Sequence, residues 1–96
     1  MSKSILQKEK ECAICGALYE LECHHVFGGP LRKLSERYGL KLWLCRKHHT
    51  ESPEGVHHNR ELREELQDFA QRAAMKHYGW TMEEWREKFL RNYLKE

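Results

Sequence analysis

The apolar positions of this chain change period near its middle. Leu18 to Phe27 alternates loosely between apolar and polar, and Leu40 to Leu44, LKLWL, alternates up to Trp43. A period of two suits strands, whose successive side chains face opposite ways. The pattern therefore predicts two short strands, antiparallel to each other, with Gly28-Gly29-Pro30 breaking the first into a loop. Cys45 to Glu51 can start a helix, which Ser52-Pro53-Glu54-Gly55 interrupts. From Asn59 onward the period is helical. Leu62, Leu66, Phe69, Ala70 and Ala73 recur on one face, Asn59 is a suitable N-cap, and Gly79 ends the helix. Thr81-Met82-Glu83-Glu84 is a capping box that opens another helix, with Trp85, Phe89, Leu90 and Tyr93 as its buried face. Both stripes read as core rather than as a cofactor site. The expected fold is α+β and a single domain. Residues 1–10 form a flexible N-terminal segment, residues 11–59 a hairpin core, and residues 60–96 two C-terminal helices.

Composition says that this core is thin. The chain has 96 residues, of which 33% are charged, and its mean hydropathy is −0.89. A domain of this size often needs a metal or a disulfide as a staple. There is no apolar run long enough for a membrane span, and MSKSILQKEKE lacks the apolar centre of a signal peptide. The expectation is a cytoplasmic protein with no membrane partner, in which the four cysteines stay reduced and serve as metal ligands. Net charge is only +2, but its distribution is uneven. Between His24 and Thr50 stand Arg32, Lys33, Arg37, Lys41, Arg46 and Lys47 against a single acid, Glu36, while the flanking stretches carry a slight acidic excess. A solvated loop would accept that charge, and so would a segment that meets phosphate.

The cysteines are placed in a telling way. Cys12-Ala13-Ile14-Cys15 is a CxxC knuckle and Cys45-Arg46-Lys47-His48 a CxxH knuckle, with twenty-nine residues between them. Together they offer the four ligands of a tetrahedral structural Zn²⁺. Cys23 has no knuckle partner and is expected to be a small, partly buried residue. A zinc on Cys12, Cys15, Cys45 and His48 would tie the start of the chain to the end of the second strand. It leaves His24, His25, His49, His57 and His58 around the hairpin without a structural task.

Those residues resemble a known family. HHVFGG, YGLKLWLC, RKHH and GVHHN look like a phage-type HNH endonuclease, and the resemblance covers about Cys12 to Asn59. It implies a ββα-metal fold, here zinc-stapled. It also implies a metal-dependent hydrolase of DNA phosphodiester bonds, with DNA and other phage DNA-processing proteins as partners. By resemblance His24 binds the catalytic divalent ion and His25 is the general base. Adjacent strand positions face opposite ways, so the doublet can divide those tasks. The family's last histidine corresponds to His49, and a further ligand to His57, with His58 as second choice. Pro53 and Gly55 make an unbroken helix from His49 to His57 unfavourable, so a short loop must bring His57 back. The middle asparagine of the family signature is missing between His25 and Cys45, which leaves Arg32, Ser35 or Glu36 to clamp the loop.

The implied chemistry needs little else. A neutral imidazole can take a proton from water, and one divalent ion (Mg²⁺, Mn²⁺, Ni²⁺ or Zn²⁺) can neutralise charge at the scissile phosphate and the leaving oxygen. Arg32, Lys33, Arg37, Lys41, Arg46 and Lys47 would hold the DNA backbone with little sequence reading. The alternative expectation is a non-catalytic zinc-ribbon module that binds nucleic acid, its extra histidines being surface residues.

Overall fold

The structure, a computed structural model, describes residues 3–51 and 53–95. Met1, Ser2 and Glu96 lie outside the described residues, as does Ser52, one of the four residues expected to interrupt the helix after Cys45. Strands β1 (Leu21–His25) and β2 (Lys41–Cys45) pair antiparallel, with Leu21 opposite Cys45 and His25 opposite Lys41. The register puts Cys23 and His25 on one face with Lys41 and Trp43. Glu22 and His24 share the other face with Leu42 and Leu44. The doublet is thus split between the two faces.

β1 is shorter than the Leu18–Phe27 expected. Glu20 takes a positive φ of 54°, which ends the extended backbone, and Leu18 and Tyr19 before it are exposed. Residues expected as a flexible lead-in lie along the outer edge of β2. Ile5 N–H donates to Gly39 O at 2.9 Å, the Ser4 hydroxyl to Lys41 O at 2.6 Å, and Trp43 N–H to Gln7 Oε1 at 2.9 Å. These bonds occupy backbone groups that an open strand edge would leave bare.

The connection between the strands, expected as a loop, holds helix α1 (Arg32–Tyr38), entered through a 3-10 turn at Gly29–Leu31. Leu31, Leu34 and Tyr38 fall on one helical face and pack on the core. The helix stops at Gly39, whose φ of +72° favours glycine and whose missing Cβ lets the Lys3 backbone pass.

Helix α2 (Arg46–His49) follows β2 directly, and α3 (Arg60–Tyr78) and α4 (Met82–Phe89) complete the fold. Their ends are as the sequence predicts. Asn59 Oδ1 accepts from Leu62 N–H at 3.0 Å, Gly79 closes α3 at φ 69°, and Thr81 and Glu84 form the reciprocal capping box. The described residues therefore make a small α+β fold, a two-stranded antiparallel sheet with helices packed on it.

The main core joins the hairpin to α3 and α4. Trp85 stacks on Phe89 with ring centroids 4.1 Å apart, and Phe27, just beyond β1, meets both rings edge-on or tilted. The buried face of α3 centres on Ala70, Gln71 and Ala74, with Leu66 half-buried. Phe69, expected in that face, is 47% exposed, because the helix is turned so that its smallest residues meet the hairpin. Leu90, expected on the face of α4, is 74% exposed, because α4 ends at Phe89 and Leu90 adopts a left-handed φ of 74° in its cap. Gln71 is fully buried and satisfied, with Nε2 donating to Asn92 Oδ1 and Oε1 accepting from Tyr93 N–H. No helix among the described residues is long and apolar enough to cross a membrane.

Candidate metal centres

The two knuckles meet as their spacing requires. Cys12, Cys15, Cys45 and His48 bring three sulfurs and one ring nitrogen within 4.8 Å of one another. Cys15 Sγ lies 3.7 Å from Cys45 Sγ, and His48 Nδ1 lies 3.2 Å from Cys45 Sγ and 3.8 Å from Cys12 Sγ. A sulfur pair on one tetrahedral zinc sits about 3.8 Å apart and a sulfur–nitrogen pair about 3.5 Å, so the cluster has the dimensions of a structural zinc site. The sulfurs are too far apart for a disulfide, and all four cysteines are free. Burial alone would push the Cys12 thiol up, but hydrogen bonds at the backbone of Cys45, Cys15 and Ile14 bring it down to about 6. Burial, followed by crowding from Cys12 and Cys15, pushes the Cys45 thiol up. A zinc held here would ionise all three thiols. Cys23 stays outside this cluster, half-buried on the other part of the hairpin, its thiol pushed up by burial.

A second group lies on the opposite side of β1 from His25. His24, His49 and His57 place their ring nitrogens within 4.8 Å of one another, with ring centroids 4.7 to 5.3 Å apart. His24 comes from the end of β1 and His49 from the end of α2. The turn after α2 returns His57, through Val56 N–H on His48 O at 2.8 Å and His57 N–H on His49 O at 3.3 Å. Gly55 permits that return, because a Cβ there would lie 2.7 Å from Glu51 O. His58 is exposed and takes no part in the group.

The electrostatics of the trio suit a cation. His49 Nδ1 lies 2.8 Å from Glu22 Oε1 and its Nε2 lies 3.0 Å from His57 Nε2. The carboxylate accepts, so a hydrogen sits on His49 Nδ1, and Nε2 is the ring nitrogen aimed at the trio. His24 is 5% exposed, and its Nε2 is the one buried side-chain polar atom without a hydrogen-bond partner among the described residues. Burial, then the neighbouring His49, His57 and His25, hold the His24 ring down to about 3, so it stays neutral and able to ligate. Burial and then His49 hold His57 below its ordinary range as well. Three imidazoles with converging nitrogens, one of them orphaned, are a donor set that fits a divalent transition-metal ion.

His25 is held apart from this group. Its Nε2 lies 2.9 Å from Glu36 Oε1, Glu36 Oε2 lies 2.6 Å from Lys41 Nζ, and Arg32 Nε reaches toward His25 Nδ1 at 3.5 Å. Of the three residues named for clamping the loop after β1, Ser35 does so. Its buried hydroxyl donates to Phe27 O at 2.8 Å and accepts from Phe27 N–H at 3.0 Å. Arg32, Lys33, Arg37, Arg46 and Lys47 are exposed, whereas Lys41 is buried and spends its charge on Glu36. The structure thus adds two roles that sequence reasoning did not assign, Glu22 beside His49 and Glu36 beside His25, and selects Ser35 from the three residues named for the loop. Glu22 left a trace in the sequence, since strand alternation places it on the face of His24.

Compared with family models, curated proteins and solved structures, the chain matches none.

Proposed function

We propose that this protein is a metal-dependent endonuclease of the HNH type, with β1, β2 and α2 as its ββα-metal core, hydrolysing DNA phosphodiester bonds. The observation that carries the reading is the division of the His24–His25 doublet. His24, which is buried, converges with half-buried His49 and exposed His57, while His25 faces the other side of the strand and is held by a carboxylate. A zinc-ribbon module would have no use for either arrangement.

When bound at the three imidazoles, a divalent ion would supply charge neutralisation at the phosphate and the leaving 3′ oxygen. The protein's own residues do the rest. His24, His49 and His57 bind it as neutral ligands, and Glu22 orients His49. His25 takes the proton of the attacking water. Exposed Arg32, Lys33, Arg37, Arg46 and Lys47 hold the DNA backbone by charge, without reading bases.

The test is nicking of supercoiled plasmid by the zinc-containing protein with added Mg²⁺, Mn²⁺, Ni²⁺ or Zn²⁺. The wild type should nick with at least one ion, and His25→Ala should lose about 10²–10⁴-fold in rate while still binding DNA. A wild type that binds DNA but never cuts it would instead support the zinc-ribbon reading.

A further inference from the structure

We infer that Glu36 is a positioning residue that locks His25 in the tautomer with its hydrogen on Nε2, leaving Nδ1 as the proton-accepting atom. Only the kinetic consequence of this rests on the nuclease reading above.

For the neutral ring the geometry favours one tautomer. Glu36 Oε1 lies 2.9 Å from His25 Nε2, and a carboxylate only accepts, so the hydrogen in that bond belongs to His25. Nδ1 then carries a lone pair. Arg32 Nε, a donor, faces that atom at 3.5 Å. Both neighbours require the same tautomer. Arg32 is exposed, so its guanidinium can move from Nδ1 to a phosphate and place the reacting phosphodiester beside that lone pair.

Lys41 fixes the direction of the carboxylate. Its ammonium lies 2.6 Å from Glu36 Oε2, with the Lys41 side chain 7% exposed and the His25 side chain 12%. His25 and Lys41 stand opposite each other in the strand pair, so the sheet itself spaces the two groups that Glu36, reaching in from α1, joins. That explains why the one acid in a run of basic residues stands where it does, and why Lys41 is withdrawn from the surface.

The same triangle dictates what an isosteric change would do. A glutamine has one acceptor and one donor where glutamate has two acceptors. The Lys41 ammonium can only donate, so it would take the amide oxygen and turn the NH₂ group toward His25. His25 would then have to accept at Nε2 and carry its hydrogen on Nδ1. Glu36→Gln therefore inverts the tautomer with almost no change in shape.

The experiment is long-range ¹H–¹⁵N correlation NMR of ¹⁵N-histidine protein holding its zinc, near pH 8 and without other divalent ions. The His25 signals are assigned against His25→Ala. The wild type should show His25 with hydrogen on Nε2, and Glu36→Gln should move it to Nδ1. Plasmid nicking by Glu36→Gln should fall at least about tenfold in kcat with KM for DNA unchanged, the loss expected when a base presents the wrong nitrogen. A wild-type His25 carrying its hydrogen on Nδ1, or the same tautomer in Glu36→Gln as in wild type, overturns the assignment. The wild-type spectrum decides even if the variant does not fold. If the wild type never nicks plasmid, the nuclease reading falls, and the spectrum still decides the role of Glu36.

Discussion

His49 Nε2 stands 3.0 Å from His57 Nε2, although the two residues come from opposite ends of a turn that leaves α2 and doubles back. With Nδ1 donating to Glu22, that Nε2 is the His49 atom aimed at the centre of the trio, where the buried His24 Nε2 has no partner. Titration of Mn²⁺ or Ni²⁺ into zinc-containing protein, followed by calorimetry, should give one further site. His24→Ala and His49→Ala should abolish it and His57→Ala should weaken it, whereas His58→Ala should leave it unchanged. Unchanged binding in His57→Ala would reduce the site to two histidines.

Glu22 supports that site from outside. Partners that orient a metal-binding imidazole typically contribute about 10–100-fold in affinity. Glu22→Gln should weaken Mn²⁺ or Ni²⁺ binding by that amount, less than His49→Ala does, with an unchanged circular dichroism spectrum. Equal affinity in Glu22→Gln and wild type would show that the contact does not orient His49.

The zinc staple should dominate stability. Structural zinc supplies folding free energy on the order of 10 kcal/mol in small domains, and held by these four ligands it would join the turn at Cys12 to the end of β2. Cys45→Ser should yield insoluble or unfolded protein, while Cys23→Ser should fold and retain one zinc per chain by metal analysis. A folded Cys45→Ser protein with full zinc content would refute the ligand assignment.

Ser35 carries both backbone groups of Phe27 on one hydroxyl. Removing it leaves a buried N–H and a buried carbonyl unsatisfied, at a cost of about 1–3 kcal/mol. Ser35→Ala should lower the urea midpoint accordingly and loosen the segment between His25 and α1, seen as faster amide exchange at Phe27. Unaltered exchange there would mean that the loop is held by its packing alone.

Acid should act through His24. Its ring is held down to about 3 in the folded protein, whereas in an unfolded chain histidine titrates near 6.5. The unfolded state therefore takes up a proton that the folded state refuses. This contribution to stability is complete above about pH 6.5 and shrinks as pH falls toward 3. Between pH 7 and 5, without added divalent ions, wild type should lose about 2 kcal/mol more than His24→Leu does. Parallel pH profiles in urea unfolding would show that His24 protonates in place.

Local chemistry was legible in the sequence wherever it is decided within a few residues. The strand at LKLWL, the cap at Asn59, the capping box at Thr81 and the stop at Gly79 all depend on neighbours along the chain; the caps and the stop stand where the pattern puts them, and the strand is displaced by one residue to Lys41–Cys45. The pairing of the two knuckles was legible too, because zinc accepts only a few donor types at a few spacings. The division of the His24–His25 doublet follows from the strand period alone. Tertiary structure decided the rest. Helix α1 was hidden behind Gly28-Gly29-Pro30, because its apolar face of Leu31, Leu34 and Tyr38 acquires meaning only against the core it covers. The exposure of Phe69 and Leu90 was set by how far α3 turns on the hairpin and where α4 stops. Lys41 reads as one more surface cation until the strand register puts it across from His25 and beneath Glu36. Glu22 and Glu36 find their imidazoles across twenty-seven and eleven residues of chain. Sequence spacing can say which donors are present, but which carboxylate meets which ring is fixed only when the strands pair and the helices close over them.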